Sequence, residues 1–188
     1  MMRRITIALV QTINGAYAHD GWSTGVSTPT DFRYFVGLRR RAGAIIIDRR
    51  TALNPRLPMI NAPGKALEHT PVHVLTESDP AELARQLADR GLDYRAVGFT
   101  PNSLAEVVAG LASDSDEIMC ESGPNLAYRI LEHYPHTELH LSISPRYLRD
   151  GLTHFSGLEA DIPLHVRGIE QLDDQVVIRY AKAKPPPQ

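Results

Sequence analysis

The sequence predicts an α/β fold with a central, mostly parallel sheet of about eight strands, flanking helices and an antiparallel hairpin at its C-terminal edge. Short β-branched and aliphatic runs alternate with segments of helical periodicity through roughly the first two thirds of the chain. Strand patterns alone follow, and the last two flank a turn at 172–175. No repeat or linker divides residues 1–182, so we expect one domain and a disordered tail at 183–188.

The helices and strands are predicted from periodicity and from start and stop signals. Helix 29–41 can be capped by Thr28 or Thr30, has Asp31 in its first turn and ends in three arginines, which suits the helix dipole at both ends. The other predicted helices are 81–88, 103–111 and one that begins near Pro124. The predicted strands are 5–10, 44–47, 72–75, 94–97, 118–120 and 138–143, followed by the hairpin 162–168 and 176–180.

Two long polar segments, 12–30 and 54–70, match no regular element. The first is rich in glycine and contains the only tryptophan, Trp22, and the second is broken by three prolines. Because structureless loops of this length in compact domains are usually functional or mobile, the part at 15–28 is a candidate lid over a binding site.

Three polar clusters follow predicted strands: 48–51, 76–78 and 121–123. In open α/β sheets, ligands bind outside the carboxyl ends of the strands, so these clusters predict one shared site. At the third cluster, small residues lead into a helix that begins with Pro124. Such a helix start presents backbone N–H groups and a positive dipole end to an anion, most often phosphate. The alternative is ordinary tight-turn chemistry.

Composition and charge exclude several function classes. The formal net charge is −2, and no basic stripe indicates nucleic-acid binding. One cysteine excludes an internal disulfide and a multi-cysteine zinc site, and no apolar run has the length of a membrane span, which together fit a cytoplasmic protein. His133, His136 and His140 have ligand-like spacing but are interpreted as surface histidines, so no metal is expected. Cys120 is interpreted as a core residue and not a nucleophile.

Several segments in order carry a resemblance to a known family. The chain resembles the reductase domain of the bifunctional riboflavin-biosynthesis deaminase/reductase, which has a dihydrofolate-reductase-like fold. The segments and the family patterns that they match are Thr12-Ile13-Asn14-Gly15 (Ser-x-Asp-Gly), Ser27-Thr28-Pro29 leading to Leu38-Arg39, IIIDRRT at 45–51, Glu121-Ser122-Gly123-Pro124-Asn125-Leu126 (Glu-Gly-Gly-Pro-x-Leu) and ELHLSISPR at 138–146 (Glu-Leu-x-Leu-x-Ile-x-Pro-Arg).

The resemblance implies NADPH as the cofactor. Arg49 and Arg50 would hold the adenosine 2′-phosphate, which suits forked guanidinium donors, although they could equally be solvated loop charges. Thr51 would contact the cofactor, and Thr76 and Ser78 would lie beside the adenosine. The segment from Ser122 to Arg129 would cradle the pyrophosphate, with Ser122, Gly123, Pro124, Asn125 and Leu126 as the named contacts.

The resemblance also places substrate contacts at Ser23, Arg39, Leu57 and Glu121. Arg39 could instead satisfy carbonyls at a helix end, and Glu121 could be a strand-end carboxylate satisfied by backbone N–H groups. Asp31 matches an acidic residue that binds the pterin in dihydrofolate reductases, and its alternative is a carboxylate that stabilises a helix N-terminus. No residue is assigned a catalytic step.

The sequence departs from the family pattern at four points. The arginine that usually follows Leu57 is Ile60, with Arg56 as a substitute. The first glycine of the Gly-Gly pair is Ser122, and Gly25 stands where an aromatic residue is usual. The zinc-binding deaminase half is not in this sequence, so deamination would be done by another protein.

The predicted function is therefore NADPH-dependent reduction of a small-molecule pyrimidine, 5-amino-6-ribosylaminouracil phosphate, to its ribityl form, by a homodimer. The cofactor would supply the hydride, and the protein would align the reactants and exclude water. The alternatives are reduction of a dihydrofolate or pterin and a non-catalytic, nucleotide-binding member of the family.

Overall fold

The computed structural model describes residues 4–113, 115, 117–153 and 160–183. Its strands in chain order are β1 (Arg4–Thr12), β2 (Ala44–Asp48), β3 (Val72–Thr76), β4 (Arg95–Gly98), β5 (Glu117–Cys120), β6 (Thr137–Ser144), β7 (Leu164–Leu172) and β8 (Gln175–Lys182). Its α-helices are α1 (Pro29–Arg39), α2 (Arg49–Ala52), α3 (Pro80–Asp89), α4 (Leu104–Ser113) and α5 (Pro124–His133).

The eight strands form one sheet in the order β4-β3-β2-β5-β1-β6-β8-β7. All pairs from β4 to β6 are parallel, and β8 and β7 join as antiparallel strands. The predicted fold class is confirmed. The predicted tail lies outside the described residues apart from Ala183, and within the described part no helix is long and apolar enough to cross a membrane.

The local structure differs from the prediction in two segments near the carboxyl edge of the sheet and at the end of α1. Helix α2 occupies part of the polar cluster at 48–51, because the Asp48 side chain accepts from the backbone N–H of Thr51 and so caps a single helical turn. A short 3-10 turn, Ser23–Gly25, lies within the long loop at 12–30. Helix α1 ends at Arg39 and not at 41, a difference within the usual fraying of a helix end.

Apolar side chains are buried on both faces of the sheet. On one face Ile5, Ile46 and Ile118 pack with α4 and α5, and on the other Ile45 and Ile47 pack with α1 and α3. Side chains alternate between the two faces along a strand, so the run at 44–47 supplies both cores. Each fully buried isoleucine contributes about 1.5–3 kcal/mol, and these layers hold the strand ends in fixed register.

The strand order brings distant residues to one edge. β2 lies between β3 and β5, and the backbone N–H of Glu121 donates to the carbonyl of Ile46 at 2.8 Å. The residues that follow β2, β3 and β5 therefore meet at the carboxyl edge of the sheet, as predicted from the three polar clusters.

Candidate functional site

A cleft of about 1020 Å³ runs along the carboxyl edge of the sheet. This volume is at the upper end of the range for small-molecule sites. The sequence-predicted residues that line it are Ser23, Asp31, Arg39, Arg49, Arg50, Thr51, Leu57, Thr76, Ser78, Glu121, Ser122, Gly123, Pro124, Asn125 and Leu126. The fold thus brings all the proposed cofactor and substrate positions into one continuous surface, although their individual roles remain predictions.

Asp48, which sequence reasoning did not single out, lies between α2 and the start of α5 at the carboxyl edge of the sheet. Its carboxylate accepts from the backbone N–H of Gly123 at 2.9 Å and from the Thr51 backbone N–H and hydroxyl at 2.8 and 3.0 Å. Two groups predicted to contact the cofactor therefore already donate to a negative side chain. The cap pattern of an aspartate three residues before Thr51 is the signal that identifies it.

The two adjacent arginines of α2 extend to different sides of the cleft. Arg49 donates to Gln86 on α3 at 3.1 Å, on the side of β3. Arg50 donates to the carbonyl of Gly21 at 2.8 Å and stacks 5.1 Å from the centre of the Trp22 ring. Consecutive helical positions are about 100° apart, which accounts for the divergence.

Another cation, Arg129 of α5, lines the cleft beside the end of β3. It donates to Glu77 at 3.0 Å, and its guanidinium lies 5.3 Å from the centre of the Phe99 ring. Its side chain is well buried while that of Glu77 is exposed. Arg129 is therefore held against an aromatic surface at the side where β3 ends.

Arg39 and Glu121 form a bidentate ion pair in the cleft. Arg39 Nε and Nη2 donate to the two carboxylate oxygens at 2.7 and 2.6 Å, and Arg39 stacks 4.6 Å from the Phe35 ring centre. Burial raises the pKa of the Glu121 carboxyl, and the hydrogen bonds and charge of Arg39 oppose that rise. Arg39 lies in the last turn of α1, as the helix-end alternative requires, and its guanidinium donates to Glu121.

Asp31 lies both at the start of a helix and at the wall of the cleft. It lies in the first turn of α1, where its backbone N–H donates to the Thr28 cap at 3.0 Å. Its side chain is buried at the cleft wall and accepts from the Ser27 hydroxyl at 2.5 Å. The carboxylate is thus part of the cleft as well as of the helix start.

The interpretation of the three spaced histidines as surface residues is wrong for His140. It is 6% exposed and lines the cleft, where it contacts Tyr34 and Glu138. Throughout the described parts of the chain, no group of three or more His, Cys, Asp or Glu side chains has the geometry to hold a metal ion. The alternation of polar residues along β6 was the signal available for a buried polar His140.

Cys120 lies in the core, as predicted. It is fully buried, and burial raises the pKa of its thiol to about 11. Its sulfur lies 3.1 Å from the hydroxyl of Ser122, which occupies the position of the family's first glycine.

The structure explains one departure from the pattern, at Gly25, and locates another, at Ile60. A Cβ atom at Gly25 would lie 2.7 Å from the Cβ of His19, so this position has no room for an aromatic side chain. Ile60 lines the cleft and its backbone donates to Tyr94, whereas Arg56 is exposed. Arg90 also lines the cleft and donates to the carbonyl of Leu53, which makes it a further cation on this side that sequence reasoning missed.

Solved structures share this fold. A pyrimidine reductase-like protein from Corynebacterium diphtheriae aligns over 97% of the length of this chain and 93% of its own length, with a TM-score of 0.69 and 18% sequence identity. The riboflavin biosynthesis reductase of Saccharomyces cerevisiae aligns over 96% of the length of this chain and 90% of its own length, with a TM-score of 0.65 and 12% sequence identity. No protein-family profile and no curated protein sequence matches the chain.

The dihydrofolate reductase of Enterococcus faecalis, solved with NADP(H), also matches. The alignment covers 96% of the length of this chain and 97% of the length of the reductase, with a TM-score of 0.60 and 12% sequence identity. At these identities the likeness concerns the fold. The fold is that of the dihydrofolate-reductase-like reductases, and its structural neighbours include reductases of riboflavin biosynthesis.

Proposed function

We propose that this protein is an NADPH-dependent oxidoreductase that reduces a pyrimidine intermediate of riboflavin biosynthesis, 5-amino-6-ribosylaminouracil phosphate, or a closely related compound. The observation that carries the proposal is the single cleft, in which the anion-binding helix start of α5 and the buried Arg39–Glu121 pair line one surface. The structural neighbours named above support the same class of reaction. When bound, the cofactor supplies a hydride to the substrate.

The cofactor would lie across the ends of β2, β3 and β5. The first-turn N–H groups of Asn125 and Leu126 have no carbonyl partner within a helix and face the anion position, so they are the proposed pyrophosphate donors. Arg49 is the favoured contact for the 2′-phosphate because it lies toward α3 and β3, with Thr76 and Ser78 beside the adenosine. Arg50 could contact the 2′-phosphate only if its hydrogen bond to the carbonyl of Gly21 were broken.

The negative charge of Asp48 would oppose binding of the cofactor's pyrophosphate. A carboxylate that accepts from Gly123 and Thr51 stands beside the proposed pyrophosphate position and repels it. We propose that Asp48 lowers the affinity for the cofactor and so promotes release of the bound dinucleotide, while it keeps the helix start ordered in the free protein.

The substrate would occupy the side of the cleft that contains Glu121 and Asp31. Each Glu121 oxygen accepts one bond from Arg39 and retains capacity for a second, so the carboxylate can accept from a ring N–H or an amino group. Ser23 and Leu57 line the same cleft at the loop side. The protein's part is to orient the ring and to exclude water around the reacting carbon.

The loop at 15–28 is the proposed lid. Arg50 holds it through Gly21 and Trp22, and Arg146 donates to the carbonyl of Gly25 at 2.7 Å. Two arginines from outside the loop therefore fix its position over the cleft. Shortening the loop is expected to reduce turnover more than cofactor binding, and equal losses of both would contradict a lid role.

Reduction of a dihydrofolate or pterin is the second candidate activity. The buried Asp31 carboxylate at the start of α1 favours it, since a pterin presents adjacent N–H donors to one carboxylate. A non-catalytic, nucleotide-binding role is the third, and the replacement of the family arginine by Ile60 favours it.

Steady-state oxidation of NADPH with the ribosylaminopyrimidine phosphate and with dihydrofolate separates these candidates. The proposal predicts turnover with the pyrimidine and its loss in Glu121→Gln, with the exposed Glu68→Gln as the matched control. Turnover with dihydrofolate alone would favour the second candidate. Cofactor binding without turnover of either compound would favour the third. Sedimentation of the protein tests the homodimer that the resemblance implies.

A further inference from the structure

A ladder of polar side chains follows one face of β6 into the cleft. Alternate residues of a strand share a face, so Glu138, His140 and Ser142 lie together while Leu139 and Leu141 pack into the opposite core. His140 and Ser142 line the cleft. Glu138 is two residues nearer the amino end of the strand. The ladder therefore leads from the far end of the sheet toward the proposed substrate.

Hydrogen bonds join two residues of this ladder, His140 and Glu138, to Tyr34 at one end and to Arg4 at the other. The Tyr34 hydroxyl lies 2.6 Å from His140 Nδ1, and His140 Nε2 lies 2.8 Å from a Glu138 oxygen. The other Glu138 oxygen accepts from Arg4 at 3.3 Å, and the Arg4 side chain is 52% exposed. Tyr34, from α1, lines the cleft at the opposite end. A continuous polar path thus joins the exposed end of the sheet to the cleft wall.

The chemistry of the three groups sets the direction of each bond. Glu138 is paired with Arg4 and, as a carboxylate, only accepts, so Nε2 of His140 carries a hydrogen. In neutral His140 the Nδ1 atom then accepts from the Tyr34 hydroxyl. In protonated His140 both ring nitrogens donate, and Tyr34 must turn its hydrogen toward the cleft. Protonation of His140 therefore converts Tyr34 from a donor to the imidazole into an acceptor from it, and leaves the Tyr34 hydrogen for the cleft.

Other charged groups face this chain from the neighbouring elements. They are Arg179 of β8, Glu170 of β7 and Arg41 beyond α1. Burial lowers the pKa of His140 and raises that of Tyr34, while Glu138 favours the protonated imidazole. Asp31 and Glu121 line the same cleft and are the competing acids.

On the basis of the proposed reductase function, we propose that Tyr34 is the catalytic proton donor to the substrate nitrogen and that His140, positioned by Glu138, returns a proton to Tyr34. Reduction of a C=N bond requires a hydride at carbon, from the reduced nicotinamide cofactor, and a proton at nitrogen. The Tyr34 O–H bond breaks as the new N–H bond forms. Nδ1–H of protonated His140 then reprotonates the phenolate. Because Nε2 keeps its own hydrogen toward Glu138, Nδ1 regains a proton through the Tyr34 hydroxyl from solvent that enters the cleft once the product has left.

Single-turnover kinetics of Tyr34→Phe and His140→Gln test this role. The readout is the loss of NADPH absorbance at saturating substrate across the titration range of histidine. Tyr34→Phe should slow hydride transfer by about 100-fold, the lower end for general acid catalysis, with unchanged NADPH affinity. His140→Gln should abolish the pH dependence and lower kcat with little change in KM. The exposed Tyr147→Phe and His165→Gln are matched controls expected to behave as wild type.

Other results of these experiments would overturn either the proton relay alone or the reductase function together with it. Wild-type rates and pH profiles in Tyr34→Phe and His140→Gln would overturn the relay and leave the reductase function intact. A wild-type protein that binds NADPH but transfers no hydride to any acceptor would overturn the reductase function and the relay with it. Nitrogen NMR gives a reading independent of turnover: a neutral His140 that carries its hydrogen on Nδ1 would also overturn the relay.

Discussion

Replacing Arg39 by methionine should destabilise the fold by about 3 kcal/mol at neutral pH, the lower end for loss of one partner of a buried ion pair. The Glu121 side chain is 3% exposed and that of Arg39 is 22% exposed. Removal of Arg39 therefore leaves an unpaired carboxylate with little contact with water, whereas removal of Glu121 leaves a partly hydrated guanidinium. For a chain of this size, the loss corresponds to a decrease in Tm of about 6–12 °C.

The dependence of this effect on pH has a definite sign. Burial raises the pKa of the Glu121 carboxyl, and loss of Arg39 removes the groups that oppose the rise. The folded variant then binds this proton more tightly than the unfolded chain does. Its stability is therefore greatest below the unfolded pKa of a glutamate and falls as pH rises through the folded pKa. The wild-type protein should show the same trend more weakly.

Urea unfolding followed by circular dichroism at several pH values measures both effects. The double variant Arg39→Met with Glu121→Gln should recover most of the lost stability, because the unpaired Glu121 carboxylate is no longer present. Arg40→Met is the matched control, since Arg40 is exposed, and should stay within about 0.5 kcal/mol of wild type. A double variant no more stable than Arg39→Met would refute the assignment of the loss to an unpaired carboxylate.

Three further predictions concern the cofactor end, the loop and the core. Asp48→Asn can keep the cap on Thr51, but it removes a charge and the acceptor of the Gly123 N–H beside the pyrophosphate position. NADPH affinity measured by calorimetry should therefore rise about fivefold, or about 1 kcal/mol. Weaker binding would show that the charge organises the site. Arg50→Gln should shift the emission of Trp22, the only tryptophan, to longer wavelength as the loop loosens, and an unchanged spectrum would count against the clamp. Cys120, with its thiol pKa raised to about 11, should react with Ellman's reagent only after unfolding, so rapid labelling of the native protein would contradict its burial.

The sequence was sufficient to predict the fold class and the shared site because both depend on local patterns. Buried runs such as 44–47 mark strands, and the polar residues that follow them meet wherever parallel strands end. The order of strands in the sheet was not predictable in the same way, since it depends on which hydrophobic faces pack together. That order determines which strand-end residues become neighbours.

Side-chain partners were the part that the sequence did not reveal. Arg39 and Glu121 are 82 residues apart, so their pairing depends on tertiary structure. The divergence of Arg49 and Arg50 requires the helical turn of α2, which is too short to leave a periodic pattern in the sequence. His140 was predicted to lie on the surface, and its burial and its contact with Tyr34 of α1 depend on tertiary structure.

A fluorescence titration of NADPH against NADH tests most directly whether the cleft binds NADPH through the ends of β2, β3 and β5. Wild type, Arg49→Gln and Arg50→Gln should be compared under identical conditions. We expect tighter binding of NADPH than of NADH, with the preference lost in Arg49→Gln and largely kept in Arg50→Gln. Failure of the wild-type protein to bind either dinucleotide would contradict the cofactor site and the reductase function that depends on it.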